Sequence, residues 1–193
     1  MSIPLTPQMV LAAYEQGIFP MADEDGEVRW FSPPRRAIIE PERFHAPRSL
    51  RQVYRQQRFD VQVNHDFAAV MQHCADRPEG TWISAEILRV YTELHRYGYA
   101  HSVEAWKDDR LVGGLYGVSL GGAFFGESMF HLATNASKVT LLFLVERMVA
   151  LGMRLLDCQF MTEHLKQFGT IEITRREYLR RLKAALPLPI SFS

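Results

Sequence analysis

Apolar and polar positions along this chain change their period several times, and each change marks an element. Thr6 to Gln16 repeats apolar residues at helical spacing, with Thr6 placed to cap, Pro7 at the first position and Gly17 as the stop. Arg36 to Glu40 reads as a strand, Pro47 to Gln57 as a helix, and Phe59 to Asn64 as a strand alternating Phe59, Val61 and Val63. Asp66 and Ser84 each precede a helical pattern, the first running through Cys74 and the second to about Tyr97. Three strands follow at Ala100–Lys107, Arg110–Leu120 and Gly122–Met129, joined by the two-residue hairpin signals Asp108-Asp109 and Gly121-Gly122. Ser137 to Leu151 is apolar on nearly every side, which predicts a helix buried between layers. Met153–Phe160 and Ile171–Thr174 read as strands around a short helical segment at 163–168, and a basic helix spans Arg175–Ala185. Near the start, Ile18-Phe-Pro-Met21 and Trp30-Phe-Ser-Pro-Pro34 frame the acidic run Asp23-Glu-Asp-Gly-Glu27, an irregular piece rich in proline and aromatics. Helices alternating with a meander of strands predict an α/β (α+β) fold with a mixed, largely antiparallel sheet.

Composition sharpens this picture. With 193 residues, 47% of them hydrophobic and 12 of them Phe, the chain buries a substantial core. Its longest strongly apolar run, Leu141 to Val145, is far too short for a bilayer, and Met1-Ser-Ile-Pro has neither the basic nor the apolar region of a secretory signal. Two cysteines, Cys74 and Cys158, fit a reduced compartment, so a cytoplasmic location is expected. Net charge is zero, but its distribution is uneven. Residues 1–28 hold five carboxylates and no basic residue, whereas residues 29–58 hold eight Arg against Glu40 and Glu42. A local basic surface is what a nucleic-acid backbone feels.

The candidate chemistry lies in the second half. Alternation along Arg154–Phe160 puts Asp157 and Gln159 on one face and Leu156, Cys158 and Phe160 on the other, so Cys158 is expected in the core. Ala123, Phe125, Glu127 and Met129 share a face of the preceding strand. A carboxylate in that company needs a partner. It is either tied to a cation such as Lys138 or kept to position an amine. Asn135 suits a helix N-cap, and the first turn with Ser137 and Lys138 suits an anion or ribose; an ordinary cap is the alternative. Arg48, Arg51, Arg55 and Arg58 form one basic stripe, and Arg176, Arg180 and Lys183 another. Either is a solvated face or a seat for phosphates. The seven His show no metal-ligand spacing, and no CxxC or Gly-x-Ser-x-Gly is present, so neither a metal nor a serine hydrolase is expected.

Several motifs then match one family in order. They are Ala13-Tyr-Glu-Gln-Gly-Ile-Phe-Pro20, Trp30-Phe-Ser-Pro33 with Arg36-Ala-Ile, Thr81-Trp-Ile83 and Gly98-Tyr-Ala-His-Ser-Val-Glu-Ala-Trp106. Leu111-Val-Gly-Gly-Leu-Tyr-Gly-Val118, Phe125-Gly-Glu-Ser-Met-Phe130, Asn135-Ala-Ser-Lys138 and Asp157-Cys-Gln159 follow. With these the chain resembles the leucyl/phenylalanyl-tRNA–protein transferases. The resemblance implies a small N-terminal domain, residues 1–35, packed on a GNAT-like acyltransferase domain, residues 36–193, that uses no cofactor. It implies transfer of Leu or Phe from aminoacyl-tRNA to proteins beginning with Arg or Lys, marking them for degradation, by a monomer with no membrane partner. Glu127, Asp157 and Gln159 are then catalytic, with Asp157 accepting from the Gln159 amide, whose oxygen accepts from the attacking amine. Met21, Trp30, Trp82, Leu115, Phe125, Ser128, Asn135, Ser137 and Leu144 would bind substrate, and the two basic stripes the tRNA. Met21, Leu115 and Leu144 stand where the family often has Trp, Met and Phe, which changes the shape of the pocket. A CoA-dependent N-acyltransferase is the rival enzyme, but His131–Ser137 lacks the glycines of a pyrophosphate loop. A non-catalytic adaptor for N-termini is the third class.

Overall fold

Thr6 accepts a hydrogen bond from the Met9 amide and Pro7 opens α1 (Pro7–Glu15), as the capping pattern predicts. The computed structural model describes residues 4–78 and 80–193; the reading of Met1 to Ile3 lies outside the described residues. The segment expected to be irregular is instead a hairpin, β1 (Phe19–Ala22) paired with β2 (Val28–Phe31). Its acidic run is the turn: Asp23 Oδ1 accepts from the amides of Asp25 and Glu27, and Oδ2 pairs with Arg29.

The other elements follow the expected order. They are β3 (Arg35–Ile39), α2 (Arg48–Arg55), β4 (Asp60–Val63), α3 (Phe67–Ala75), α4 (Ala85–Arg96), β5 (Ala100–Lys107), β6 (Arg110–Leu120) and β7 (Ala123–His131). After these come α5 (Ala136–Leu151), β8 (Leu155–Gln159), α6 (Glu163–Lys166), β9 (Ile171–Thr174) and α7 (Arg175–Ala185). Asp66 and Ser84 cap α3 and α4 through their side chains. Asp108 and Asp109 both take positive φ, 50° and 56°, as a tight two-residue hairpin requires. Asn135 departs from expectation. Its backbone is left-handed, at φ 71°, and its side chain makes no capping bond to α5.

Seven strands form one mixed sheet in the order β4-β5-β6-β7-β8-β3-β9. Every neighbouring pair is antiparallel except β7 and β8, which the α5 crossover joins in parallel. Helices α1, α3, α4 and α7 pack on one face, and α2 and α5 on the other. Nine α5 residues are buried, matching its all-round apolar sequence.

Two irregularities shape the middle of this sheet. β7 pairs with β8 only over Ala123–Phe125 against Leu155–Asp157, and beyond that point the two strands run on unpaired. At the same place β7 slips against β6: Tyr116 faces Ser128 while Gly117 faces Gly126, which leaves Glu127 as the extra residue of a bulge. The bulge flips the alternation. Phe125 and Phe130 pack on the α1/α4 face, and Met129 on the α5 face, so Glu127 and Met129 do not share a side as the plain period-two reading expects.

Candidate active site

The bulge turns the Glu127 carboxylate toward α1 and α4. Tyr14 Oη donates to Glu127 Oε1 at 2.6 Å, Tyr91 Oη to Oε2 at 3.4 Å, and the two phenols meet at 2.5 Å. Gln159 Nε2 donates to Oε1 at 2.8 Å. No cation ties Glu127 down among the described residues, and Lys138 reaches Gln167 instead. The carboxyl lies deep in the protein, with part of its surface open to a cavity. Burial pushes its pKa up to about 7, against the pull of the Tyr14 and Gln159 hydrogen bonds. Burial and the Glu127 charge raise both tyrosines, which stay protonated as donors.

Asp157 lies on the same face of the sheet, but its carboxylate enters a closed knot. Arg36 Nε and Nη2 reach its oxygens at 2.9 Å and 2.6 Å, Tyr178 Oη donates at 2.7 Å, and the Gln159 amide N–H donates at 2.8 Å. Asp157 is 0% and Arg36 1% exposed, with the guanidinium between the Phe19 and Tyr178 rings. Burial alone would lower the Arg36 pKa, but the Asp157 charge raises it above its usual value. The expected bond from the Gln159 side chain to Asp157 is therefore not formed. Asp157 takes the backbone N–H, and the side-chain amide serves Glu127. The cause is local: Gln159 has φ 63°, which swings its side chain off the strand's regular alternation.

Glu127 and Gln159 border a cavity of about 510 Å³ that occupies the gap where β7 and β8 part. Of the expected substrate-binding residues, Met21, Trp82, Leu115, Ser128, Ser137 and Leu144 line it. Three do not. Phe125 is wholly buried against Tyr14, Trp30 stands out on β2 at 40% exposure, and Asn135 belongs to the left-handed turn before α5. Cys158, expected in the core, lines the cavity beside Leu156 and Phe160; burial raises its thiol pKa, so it is no thiolate nucleophile. Arg77, His131, Leu141 and His164 also line the cavity and carried no signal in the sequence. Of the tyrosines that hold Glu127, Tyr14 lies within the Ala13–Pro20 motif but carried no assigned role, and Tyr91 was unmarked.

The basic stripes differ. Arg48, Arg51, Arg55 and Arg58 are exposed on and just beyond α2, and none meets a carboxylate within 4 Å among the described residues. On α7, Arg180 is held by Glu177, while Arg176 and Lys183 are exposed. Among the described residues no group of three His, Cys, Asp or Glu is placed to hold a metal, and no helix is long and apolar enough to cross a membrane.

Comparison with known proteins places the chain in a family. The family model for the leucyl/phenylalanyl-tRNA protein transferase matches residues 38–183, and that for the N-terminal domain of the same family matches residues 4–34. The chain belongs to this family. A leucyl/phenylalanyl-tRNA–protein transferase of Gloeobacter violaceus is 53% identical over 193 residues, covering all of both chains. One from Paramagnetospirillum magneticum is 53% identical over 95% of this chain and 90% of its own. One from Zymomonas mobilis is 53% identical over 94% of this chain and 70% of its own. Among solved structures, L-PGS from Bacillus licheniformis is 14% identical over 91% of this chain and 68% of its own, with a TM-score of 0.41. A conserved Staphylococcus epidermidis protein of unknown function is 11% identical over 90% of this chain and 66% of its own, at 0.47. Both are distant. In this member of the transferase family the site draws on both matched segments: Tyr14 and Met21 fall in the first, Glu127 and Gln159 in the second.

Proposed function

We propose that the protein moves leucine or phenylalanine from aminoacyl-tRNA to the N-terminal α-amino group of proteins beginning with Arg or Lys. In this reading residues 1–35 serve as a small N-terminal domain on the catalytic domain 36–193. The enzyme acts as a cytoplasmic monomer, and the added residue marks the acceptor for degradation. One observation carries the proposal: a single cavity joins an apolar wall of Leu115, Leu141, Leu144 and Leu156 to the Glu127–Gln159 pair. The apolar wall suits a Leu or Phe side chain, and the carboxylate suits an amine and a cationic first residue.

The donor ester is already activated, so no covalent enzyme intermediate is needed. A neutral acceptor amine attacks the ester carbonyl, the C–N bond forms and the C–O bond to the ribose breaks. The amide oxygen of Gln159 accepts one amine hydrogen and holds the lone pair toward the carbonyl. Ionised Glu127 takes the proton the nitrogen sheds, then returns it to the departing ribose oxygen. A pKa near 7 fits a group that must do both at neutral pH. Asp157 acts one step back, fixing the backbone on which Gln159 turns.

The test is transfer itself. Purified protein is mixed with tRNA charged with labelled Leu, Phe, Met or Arg, and with peptides beginning with Lys, Arg, Asp or Ala. Label passing from Leu- and Phe-tRNA to the Lys and Arg peptides is expected. Label from Arg-tRNA alone, label on Asp, or acylation that requires acyl-CoA would overturn the proposal.

A further inference from the structure

Among the described residues two buried side-chain polar atoms have no hydrogen-bond partner, Tyr116 Oη and His164 Nε2. Both residues line the same cavity. Buried polar atoms are nearly always paired, because a bare one forfeits its hydration without return. Two orphans around one cavity therefore point to what enters it.

They stand on different sides. The Tyr116 ring packs edge-on against Tyr91 at 6.0 Å, beside the phenols that hold Glu127, on the α1/α4 face. His164 lies on α6 and packs edge-on against Phe168 at 5.4 Å. Phe168 belongs to the core on the α5 face, as do Leu115, Leu141, Leu144 and Leu156. His164 thus accompanies the apolar chamber.

An aminoacyl ester with a Leu or Phe side chain in that chamber brings two kinds of polar group, the ester and the free α-amino group. The ester has to stay beside Glu127 and Gln159, where the acceptor amine reaches it. The α-amino group shares its carbon with the apolar side chain and so is carried into the chamber with it. We infer that His164 binds the α-amino group of the donor amino acid, with Nε2 accepting one of its hydrogens. This rests on the donor reading given above.

The chemistry of the ring agrees. Burial, with Lys138 and His131 close by, lowers the His164 pKa, so the imidazole is neutral at pH 7 and has a lone pair to offer. Two consequences follow for the reaction. A donor whose amine is blocked, such as a peptidyl ester, leaves the imidazole unpaired and is discriminated against. A donor amine engaged by His164 is also less free to act as an acceptor toward a second ester.

The test pairs a change in the enzyme with a change in the substrate. Transfer to a Lys-initial peptide is measured with leucyl-tRNA and with 4-methylpentanoyl-tRNA, which keeps the side chain and lacks the amine. Wild type, His164→Ala and His164→Gln are compared, with thermal unfolding to confirm that each is folded. Wild type should use the amine-free donor on the order of tenfold less well, after the lower reactivity of that ester is cancelled in the cycle. His164→Ala should lose about that factor on leucyl-tRNA and little further on the amine-free donor. His164→Gln, whose amide oxygen accepts the same hydrogen, should retain part of the preference. Equal losses on both donors in His164→Ala, or no preference in wild type, would overturn the inference. Failure of the donor reading itself would appear separately, as no transfer from leucyl-tRNA by wild type, and would remove this inference with it.

Discussion

Glu127 holds a charge where charge is expensive, and the consequences are measurable at a single residue. Its carboxyl has a pKa of about 7 in the fold, against a usual value near 4.5. The native state therefore binds more protons than the unfolded chain between these values, and stability falls as pH rises through that window. The penalty levels off above pH 7 at roughly 3 kcal/mol, from ~1.4 kcal/mol per pKa unit. Glu127→Gln keeps the acceptor oxygen for Tyr14 and Gln159 and removes the charge. The variant should match wild type in stability near pH 4 and exceed it by roughly 2–3 kcal/mol at pH 8, measured by denaturant unfolding, while losing activity. At the apolar wall, Leu144→Phe fills space a Phe donor needs. It should lower kcat/KM for Phe-tRNA relative to Leu-tRNA by about tenfold or more. The sequence already marked Glu127 as a carboxylate in need of a partner, because apolar neighbours on both sides demand one. It did not reveal which partner, since a bulge has no period and a tyrosine on α1 meets it only through the tertiary fold.

Whole elements were the most legible level, and their failures are instructive. Caps, hairpin turns and periods of 2 and 3.6 located nearly every strand and helix of the large sheet within a few residues. The β1–β2 hairpin was missed because Pro20 and the flanking aromatics hide any alternation, and the turn side chain of Asp23 does the organising. Asp157 and Gln159 adjoin in the fold, but with the left-handed φ of Gln159 their side chains have different partners. Asp157 ties β8 to Arg36 of β3 and Tyr178 of α7. Asp157→Ala leaves Arg36 buried and unpaired, so it should destabilise the fold by about 3–5 kcal/mol. Gln159→Ala should leave stability within about 1 kcal/mol and lower the transfer rate instead. Unfolding curves beside kcat for the two variants separate these roles. Equal destabilisation by both would deny Asp157 its structural one.

Across the whole molecule, zero net charge conceals a division of labour between two basic helices. The α7 cations are partly spoken for, because Glu177 accepts from both Arg180 and Arg181 and Glu40 also holds Arg181. Among the described residues the α2 stripe meets no such partners, and Arg55 and Arg58 also flank a second cavity of about 640 Å³ on the α5 side. Arg51→Glu with Arg55→Glu should weaken tRNA binding by tenfold or more and flatten its dependence on log salt by roughly 1.5–2. Arg180→Glu with Arg181→Glu, which removes cations already paired, should do distinctly less in the same titration. The sequence displayed both stripes, with Glu177 at helical spacing from Arg180 and Arg181; the Glu40 contact with Arg181 exists only in the fold.

The two substrates are held to meet at one carboxylate, and the pH dependence of kcat/KM for a Lys-initial acceptor peptide tests that claim most directly. The attacking α-amino group loses its proton near pH 7.7–8.0. Glu127 must lose its own near 7. In wild type log kcat/KM should therefore approach a slope of about 2 below pH 7, ease to about 1 between 7 and 8, and flatten above. Glu127→Gln should be slower throughout and rise with a slope of about 1 only. A slope of 1 in wild type, with the same profile in Glu127→Gln, would show that this carboxylate does not handle the proton.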